Sequence, residues 1–287
     1  MEIGIGIPNS VRRTTGRQLL EWARRAEAVG FTSMGSIGRV AYPTYEELTV
    51  FAAAGAVTER IRFVTDVLLA PTRSAAELAK QAASVQELTG GRLTLGLAVG
   101  GREDDFRLTG RDFAARGRVF DQQLTDLRRA FAGEPLLEGS RPVVPDAATG
   151  GVPILIGGTS DAAVRRTVEH GVGWTAGGAP PRVVAPFVER VRAAWREAGR
   201  EGQPRIVALN YFSLGDTAER SRGYLLDYYG IFGRETAEMI AGLAHRSPQA
   251  VRDVVAAFAD AGVDELILDP TVPDPEQVDL LAEVVFG

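Results

Sequence analysis

Residues 58–105 read TERIRFVTDVLLAPTRSAAELAKQAASVQELTGGRLTLGLAVGGREDD. Ile61 to Leu69 is a β-branched, apolar run of strand length. Ala75 to Leu88 then places apolar residues at helical spacing and stops at Gly90-Gly91, and Leu93 to Ala98 is a second strand-length apolar run. Strands apolar on both faces belong to sheets covered on both sides, and a helix between two of them is the crossover that parallel pairing requires. The stretch predicts a strand–helix–strand unit of right-handed connection.

The same alternation extends outward in both directions. Upstream, Glu2 to Ile7 reads as a strand. Arg17 to Val29 follows as a helix with Leu19, Leu20, Ala23, Ala26 and Val29 in register, closed by Gly30. Thr32 to Ile37 is the next strand and Tyr45 to Thr58 the next helix. Downstream, an excursion from Arg102 to Arg116 precedes a helix over Arg118 to Phe131, and the Gly- and Pro-rich stretch Gly133 to Val152 reads as surface loop. Strands at Ile154–Ile156, Val172–Ala176, Arg205–Tyr211 and Glu265–Leu268 then alternate with helical patterns at Asp161–Glu169, Val183–Ala198, Thr217–His245, Pro248–Ala261 and Glu276–Val285. Eight strands alternating with helices predict an α/β fold of the (β/α)8 TIM-barrel type, one domain spanning residues 1–287. An open, doubly wound sheet is the alternative that periodicity leaves standing.

Composition excludes several classes of function. The chain has no cysteine, so disulfides, thiolate metal sites, iron–sulfur clusters and a cysteine nucleophile are ruled out. With two histidines as well, no metal site is expected. A formal net charge of −5 argues against a nucleic-acid partner. Met1 to Ile7 lacks the positive and long apolar regions of a signal peptide, and no run reaches membrane-spanning length. A cytoplasmic protein acting on a small molecule, with no membrane partner, is the expectation.

In parallel α/β folds the functional face is lined by strand C-terminal ends and helix N-termini. Three places stand out there. Gly100-Gly101 follows the fourth strand, where paired glycines permit a ligand to approach backbone, although a turn before a solvated charge run reads the same way. Gly157-Gly158-Thr159-Ser160 precedes a helix and could cradle a phosphate with free N–H groups, or Ser160 could simply cap the helix. Asp66-Val67 interrupts the third strand with an acid that is costly to bury unpaired, so Asp66 is either a ligand contact in the barrel mouth or a hydrogen-bonded structural residue.

Several stretches together resemble the bacterial luciferase-like superfamily. They are Thr58 to Phe63, Ala79-Lys80-Gln81-Ala82-Ala83, Gly90 to Gly96, Gly100 to Phe106, Pro153 to Gly158, Gly171 to Trp174, Ser247 to Val251 and Ala261 to Asp264. The resemblance spans nearly the whole chain. It implies a luciferase-like barrel that binds reduced FMN, or the related 8-hydroxy-5-deazaflavin coenzyme (F420), at its C-terminal face. By that resemblance Asp66 and Val67 form a bulge under the flavin ring, with a non-prolyl cis peptide. Val99 and Gly100 line the cofactor, and Gly157, Gly158, Thr159 and Ser160 meet its ring or phosphate.

Two departures accompany the resemblance. Val99 stands where some FMN-using relatives have a phosphate-binding arginine, so that contact would fall to Arg102 or to the helix N-terminus. Gly38 stands where many relatives carry an acid, leaving Arg39 as the catalytic candidate. Its pKa is too high for a general base, so its role would be to stabilise an anionic intermediate, unless it is merely salt-bridged. His245, after the seventh strand, could face a substrate, whereas His170 lies at a helix C-terminus. Tyr42, Tyr45, Tyr211, Tyr228 and Tyr229 could wall an aromatic pocket. The expected function is a monooxygenase using reduced FMN and dioxygen, with a separate flavin reductase as partner and a homodimeric assembly. The alternatives are a deazaflavin-dependent reductase or dehydrogenase, and a non-catalytic flavin-binding barrel.

Overall fold

A computed structural model describes residues 1–146 and 151–287. The parallel sheet comprises β1 (Glu2–Gly6), β2 (Ser33–Ser36), β3 (Arg62–Thr65), β4 (Leu68–Leu69), β5 (Leu93–Ala98), β6 (Ile154–Gly157), β7 (Gly173–Thr175), β8 (Arg205–Phe212) and β9 (Glu265–Pro270). Its order is β3-β2-β1-β9-β8-β7-β6-β5-β4, and an additional β3–β5 pairing closes it into a barrel. β3 and β4 are the two halves of one barrel strand, interrupted at Asp66-Val67, so eight strand positions surround the lumen. The closed barrel is therefore the observed architecture, and the open sheet is not.

The helices are α1 (Gly16–Val29), α2 (Glu47–Gly55), α3 (Ala75–Leu88), α4 (Glu103–Leu108), α5 (Arg116–Phe131), α6 (Asp161–His170), α7 (Pro181–Glu197), α8 (Ala218–Tyr229), α9 (Arg234–Gly242), α10 (Pro248–Asp260) and α11 (Glu276–Phe286). Local chemistry sets their ends. α1 begins with a reciprocal capping box between Thr15 and Gln18 and stops at Gly30, whose φ of 101° is the left-handed conformation that a side chain disfavours. α3 and α10 begin at Ser74 and Ser247, whose side chains accept from Glu77 N and Ala250 N.

Three expectations change in detail. The single strand over Ile61–Leu69 is split by the bulge at Asp66-Val67. The helical region Thr217–His245 is two helices and a 3-10 turn at Gly230–Phe232, because Gly233 takes a φ of 89° that no helix continues. The excursion after β5 contains the short helix α4. In the loop Gly133–Val152 the described residues carry no helix or strand, and residues 147–150 lie outside those described.

Two apolar cores result. The larger lies between strands and helices, with Trp22, Phe51, Phe63, Phe120, Trp174 and Phe258 buried in it. The smaller fills the lumen and mouth with Val64, Leu155, Val207, Leu209, Ile267 and the tyrosines of α8. The lumen is narrow enough that glycine is needed where side chains cross it. A Cβ at Gly35 would stand 2.5 Å from Ile267 Cγ2. At its N-terminal end the lumen holds a polar layer in which Glu265 accepts from Ser33 Oγ and Arg205 Nη2, while Arg205 Nη1 donates to Thr94 Oγ1 at 3.2 Å. Among the described residues no helix is long and apolar enough to cross a membrane.

Candidate active site

The C-terminal end of β3 sets the geometry of the mouth. Asp66 N donates to Ser36 O at 2.7 Å, Thr65 Oγ1 donates to Gly96 O at 2.9 Å, and the Asp66–Val67 peptide bond is cis. Gly96 is what allows β5 to lie against this bulge, since a Cβ there would fall 2.0 Å from Thr65 O. Val67 is left half-buried at the opening. Its Cγ1 would stand 3.0 Å from a Cβ on Gly157, so the glycine opposite makes the room that Val67 occupies.

Beside Val67 the floor is formed by Val99 and by glycine backbone. Val99 and Gly100 are half-buried, and the Gly100 carbonyl accepts from Arg116 Nε at 3.2 Å. Gly158, with a φ of 103°, Thr159 and Ser160 are exposed at the start of α6. Trp174 Nε1 donates to Gly158 O at 2.7 Å and so anchors this turn from β7. Ser160 is the N-cap of α6, its Oγ accepting from Ala163 N at 3.2 Å. The hydroxyl is thus engaged in capping, and the groups turned outward are the preceding backbone and Thr159. The structure brings Asp66, Val67, Val99, Gly100 and Gly157–Ser160 to the same end of the barrel, along adjacent strands.

Under this floor lie two acids. Asp66 Oδ1 accepts from Thr175 Oγ1 at 2.6 Å across the lumen, while its Oδ2 is buried without a partner. Burial pushes its pKa up to about 7, against the Thr175 hydrogen bond and with help from the charge of Glu265. Asp269, in β9, is buried with Oδ1 unpartnered, in a space that exists because Gly6 has no side chain. Burial, and then the neighbouring Asp66, hold its pKa well above the carboxylate range. The sequence signal that marks Asp66, an acid closing an apolar strand, is equally present at Asp269. Thr175 offers no such signal, because its partner is distant in sequence.

Arg39 has a different set of partners from those expected of a group facing a ligand. Its side chain is 3% exposed, pairs with Asp104, approaches Asp105 at 3.7 Å and donates to Tyr228 O at 3.2 Å. Asp105 in turn accepts from Ala41 N at 2.6 Å. Arg39 therefore ties the loops after β2 and β5 to α8. The place of a side chain at Gly38 is filled by Glu47 of α2, whose Oε1 lies 2.0 Å from where a Cβ would be. Glu47 is buried near Arg73, at 3.4 Å, and burial outweighs that cation to raise its pKa to about 7.

α8 roofs the other half of the mouth. Tyr224 and Ser10 hydroxyls meet at 2.5 Å, Tyr42 donates to Asp227 Oδ2 at 2.5 Å, and the Tyr211 and Tyr229 hydroxyls pair. Tyr42 and Tyr228 rings pack edge to face at 5.0 Å. Burial pushes the phenols of Tyr211, Tyr224, Tyr228 and Tyr229 upward, so they stay neutral and can donate. Tyr45 instead donates to Thr14 O at 2.9 Å. His245 is held by Asn210 Oδ1 at 3.0 Å with its pKa lowered by burial, and His170 closes α6 beside Glu169.

Residues 1–284 match the family described as luciferase-like monooxygenase. The chain belongs to that family. An uncharacterized protein of Mycobacterium tuberculosis is 31% identical over 222 residues, covering 67% of this chain and 77% of its own. Among solved structures, an F420-dependent secondary alcohol dehydrogenase in complex with an F420-acetone adduct superposes with a TM-score of 0.81 at 18% identity, covering 99% of this chain and 98% of that one. The oxygenating constituent of 3,6-diketocamphane monooxygenase from Pseudomonas putida, in complex with FMN, gives 0.73 at 17% identity, with 99% and 98% covered. These neighbours share the fold of this luciferase-like oxidoreductase and differ in cofactor. Among the described residues no cluster of acids and histidines could hold a metal ion.

Proposed function

We propose that this luciferase-like oxidoreductase binds a flavin-type cofactor with its ring across Val67, and that it is a monooxygenase using reduced FMN and dioxygen on a small organic substrate. One observation carries the reading: Val67 stands half-buried at the mouth, beside the glycine backbone of Gly100 and the exposed, bare turn at Gly158. The fit is physical, because a Cβ on Gly158 would meet nothing nearer than Ala163 Cβ at 3.7 Å, and a phosphate can approach backbone where no side chain stands. Bound reduced FMN would supply the electrons for activating oxygen. Gly157, Gly158 and Thr159, with the N-terminus of α6, would hold its phosphate. Val67 would fix the ring face, α8 would exclude water, and Asp66 would hold a proton beneath it. Arg39 acts in this reading through Asp104 and Asp105, by holding the β5–α4 loop in place. A separate flavin reductase, a homodimer and a cytoplasmic location complete it.

A second reading, hydride transfer with the deazaflavin coenzyme F420, is favoured by Asp66 and Asp269. Hydride exchange between an alcohol and a carbonyl must also move one proton at oxygen, and these acids hold protons near neutral pH. Calorimetric titration with FMN and with F420, followed by oxygen-uptake measurement in the presence of the cofactor that binds, separates the two. Binding of neither would sink both. Gly158→Asp and Gly158→Ala share the strain of the 103° φ, but only the first adds a negative charge. The aspartate should weaken cofactor binding at least tenfold more than the alanine, and equal losses would move the phosphate elsewhere.

A further inference from the structure

The arginines around the mouth are nearly all committed to protein acceptors. Arg39 pairs with Asp104, Arg73 with Glu46 at 3.0 Å, Arg12 with Asp227 at 3.3 Å and Arg220 with Asp274 at 2.8 Å. Arg116 donates to the carbonyls of Gly100 and Phe113. Arg102 is different. It is half-buried, forms no ion pair among the described residues, and its Nε is buried without an acceptor. Its neighbours in sequence do not serve it, because Asp104 and Asp105 are turned to Arg39 and Ala41. What surrounds its guanidinium instead is aromatic: the rings of Tyr228, Tyr229 and Phe232 lie 5.1, 5.3 and 5.0 Å from Cζ.

Such a cage stabilises the charge through the π faces and brings the Tyr229 hydroxyl within reach of the guanidinium, but it leaves Nε without an acceptor, and a guanidinium edge is shaped for two oxygens of one anion. An unpaired cation withdrawn from water is costly, so its retention beside a ligand floor calls for a ligand that completes it. Arg102 stands two residues beyond Gly100 and against the roof helix, between the proposed cofactor floor and α8. The phenols around it are neutral, and Asp105, whose charge reaches it, is engaged through Oδ1 by Ala41 N and forms no ion pair with it.

We propose that Arg102 is a substrate receptor of this mouth, taking the carboxylate of a bound small molecule between the β5–α4 loop and the aromatic roof. The inference rests on the proposed function for its location. Two ligand pairs separate this role from a contact to the cofactor phosphate. FMN against riboflavin differs in the phosphate; benzoate against benzamide differs in the carboxylate charge.

Calorimetric titration of the full chain should show benzoate binding tighter than benzamide. Arg102→Gln should erase that preference, a loss of about ten- to a hundredfold for the anion with the neutral ligand within twofold. Loss of an FMN preference with the benzoate preference unchanged would make Arg102 a cofactor contact and overturn the proposal. Arg102→Lys, which keeps the charge inside the cage but not the fork, should fold even if the glutamine variant does not, and should lose most of the preference. The proposal is overturned if the wild type does not prefer benzoate, or if its preference survives in both variants. Should the wild type bind neither flavin, the cofactor reading fails, and the benzoate pair alone still decides the role of Arg102.

Discussion

The barrel holds acids at both ends of its lumen and treats them in opposite ways. At the N-terminal end Glu265, 1% exposed, accepts from Ser33 and Arg205, and Arg205 also reaches Thr94. At the C-terminal end Asp66 and Asp269 each keep one buried oxygen without a partner, and among the described residues neither pairs with a cation. The first arrangement links strands β2, β5, β8 and β9 and can do little else. The second is poorly compensated where a barrel places its chemistry, and an acid left in that condition holds its proton. The two layers are also coupled, since the charge of Glu265 contributes to raising Asp66.

The difference can be broken from below with the largest expected effect. Arg205→Met leaves Glu265 buried beside only Ser33 and a more distant Arg62 at 3.8 Å. Stranding one member of a buried pair should cost about 3–5 kcal/mol in urea unfolding. A loss under about 1 kcal/mol would show that the lower layer does not hold the strands together.

From above, the expected effect is smaller and depends on pH. Because the folded-state pKa of Asp66 is raised from 3.8 to about 7, its contribution to stability is fully present below about pH 4 and is lost as pH rises through 7. Asp66→Asn keeps an acceptor for Thr175 and cannot ionise. Its stability should fall less than that of the wild type between pH 4 and pH 8, by about 2–4 kcal/mol over the window. Denaturation curves at the two pH values check this. Parallel pH profiles for the two proteins would place the ionisation elsewhere.

How much of this is legible in the sequence follows from the range of the interactions. The α/β alternation is, because strand and helix periodicities are local and repeat eight times, whereas closure of the barrel is not, because it rests on β3 pairing with β5. Asp66 is legible too, since a charge in an apolar run is visible within a few residues. Asp269 carries the same mark at the end of Glu265–Leu268. The commitment of Arg39 to Asp104 and Asp105 is not, because those residues meet only when the loops after β2 and β5 are brought together across α8. Nor is the aromatic cage of Arg102, whose rings come from a segment that reads as one continuous helix until Gly233 breaks it. The Gly157–Ser160 turn is legible as a motif but not as a division of labour, since only the structure shows Ser160 capping while Trp174 holds Gly158.

Gly38 and Glu47 extend the comparison outside the lumen with a smaller effect. The resemblance to the family implies a missing acid at position 38, and the structure fills its place with a carboxyl arriving from α2. Gly38 does not take the left-handed conformation that requires glycine, and the nearest atoms alanine there would meet belong to the Glu47 side chain, its carboxyl foremost. That end of a flexible side chain can swing away, but it must leave its buried position beside Arg73 to do so. Gly38→Ala should therefore cost about 1 kcal/mol in the wild type. In a Glu47→Ala background the clash is gone and the same step should cost less than about 0.5 kcal/mol, a coupling that a double-mutant cycle reads directly. If the two changes add independently, the carboxyl is not held at Gly38 in solution, and the third acid of this face is free to turn toward solvent rather than being fixed like Asp66.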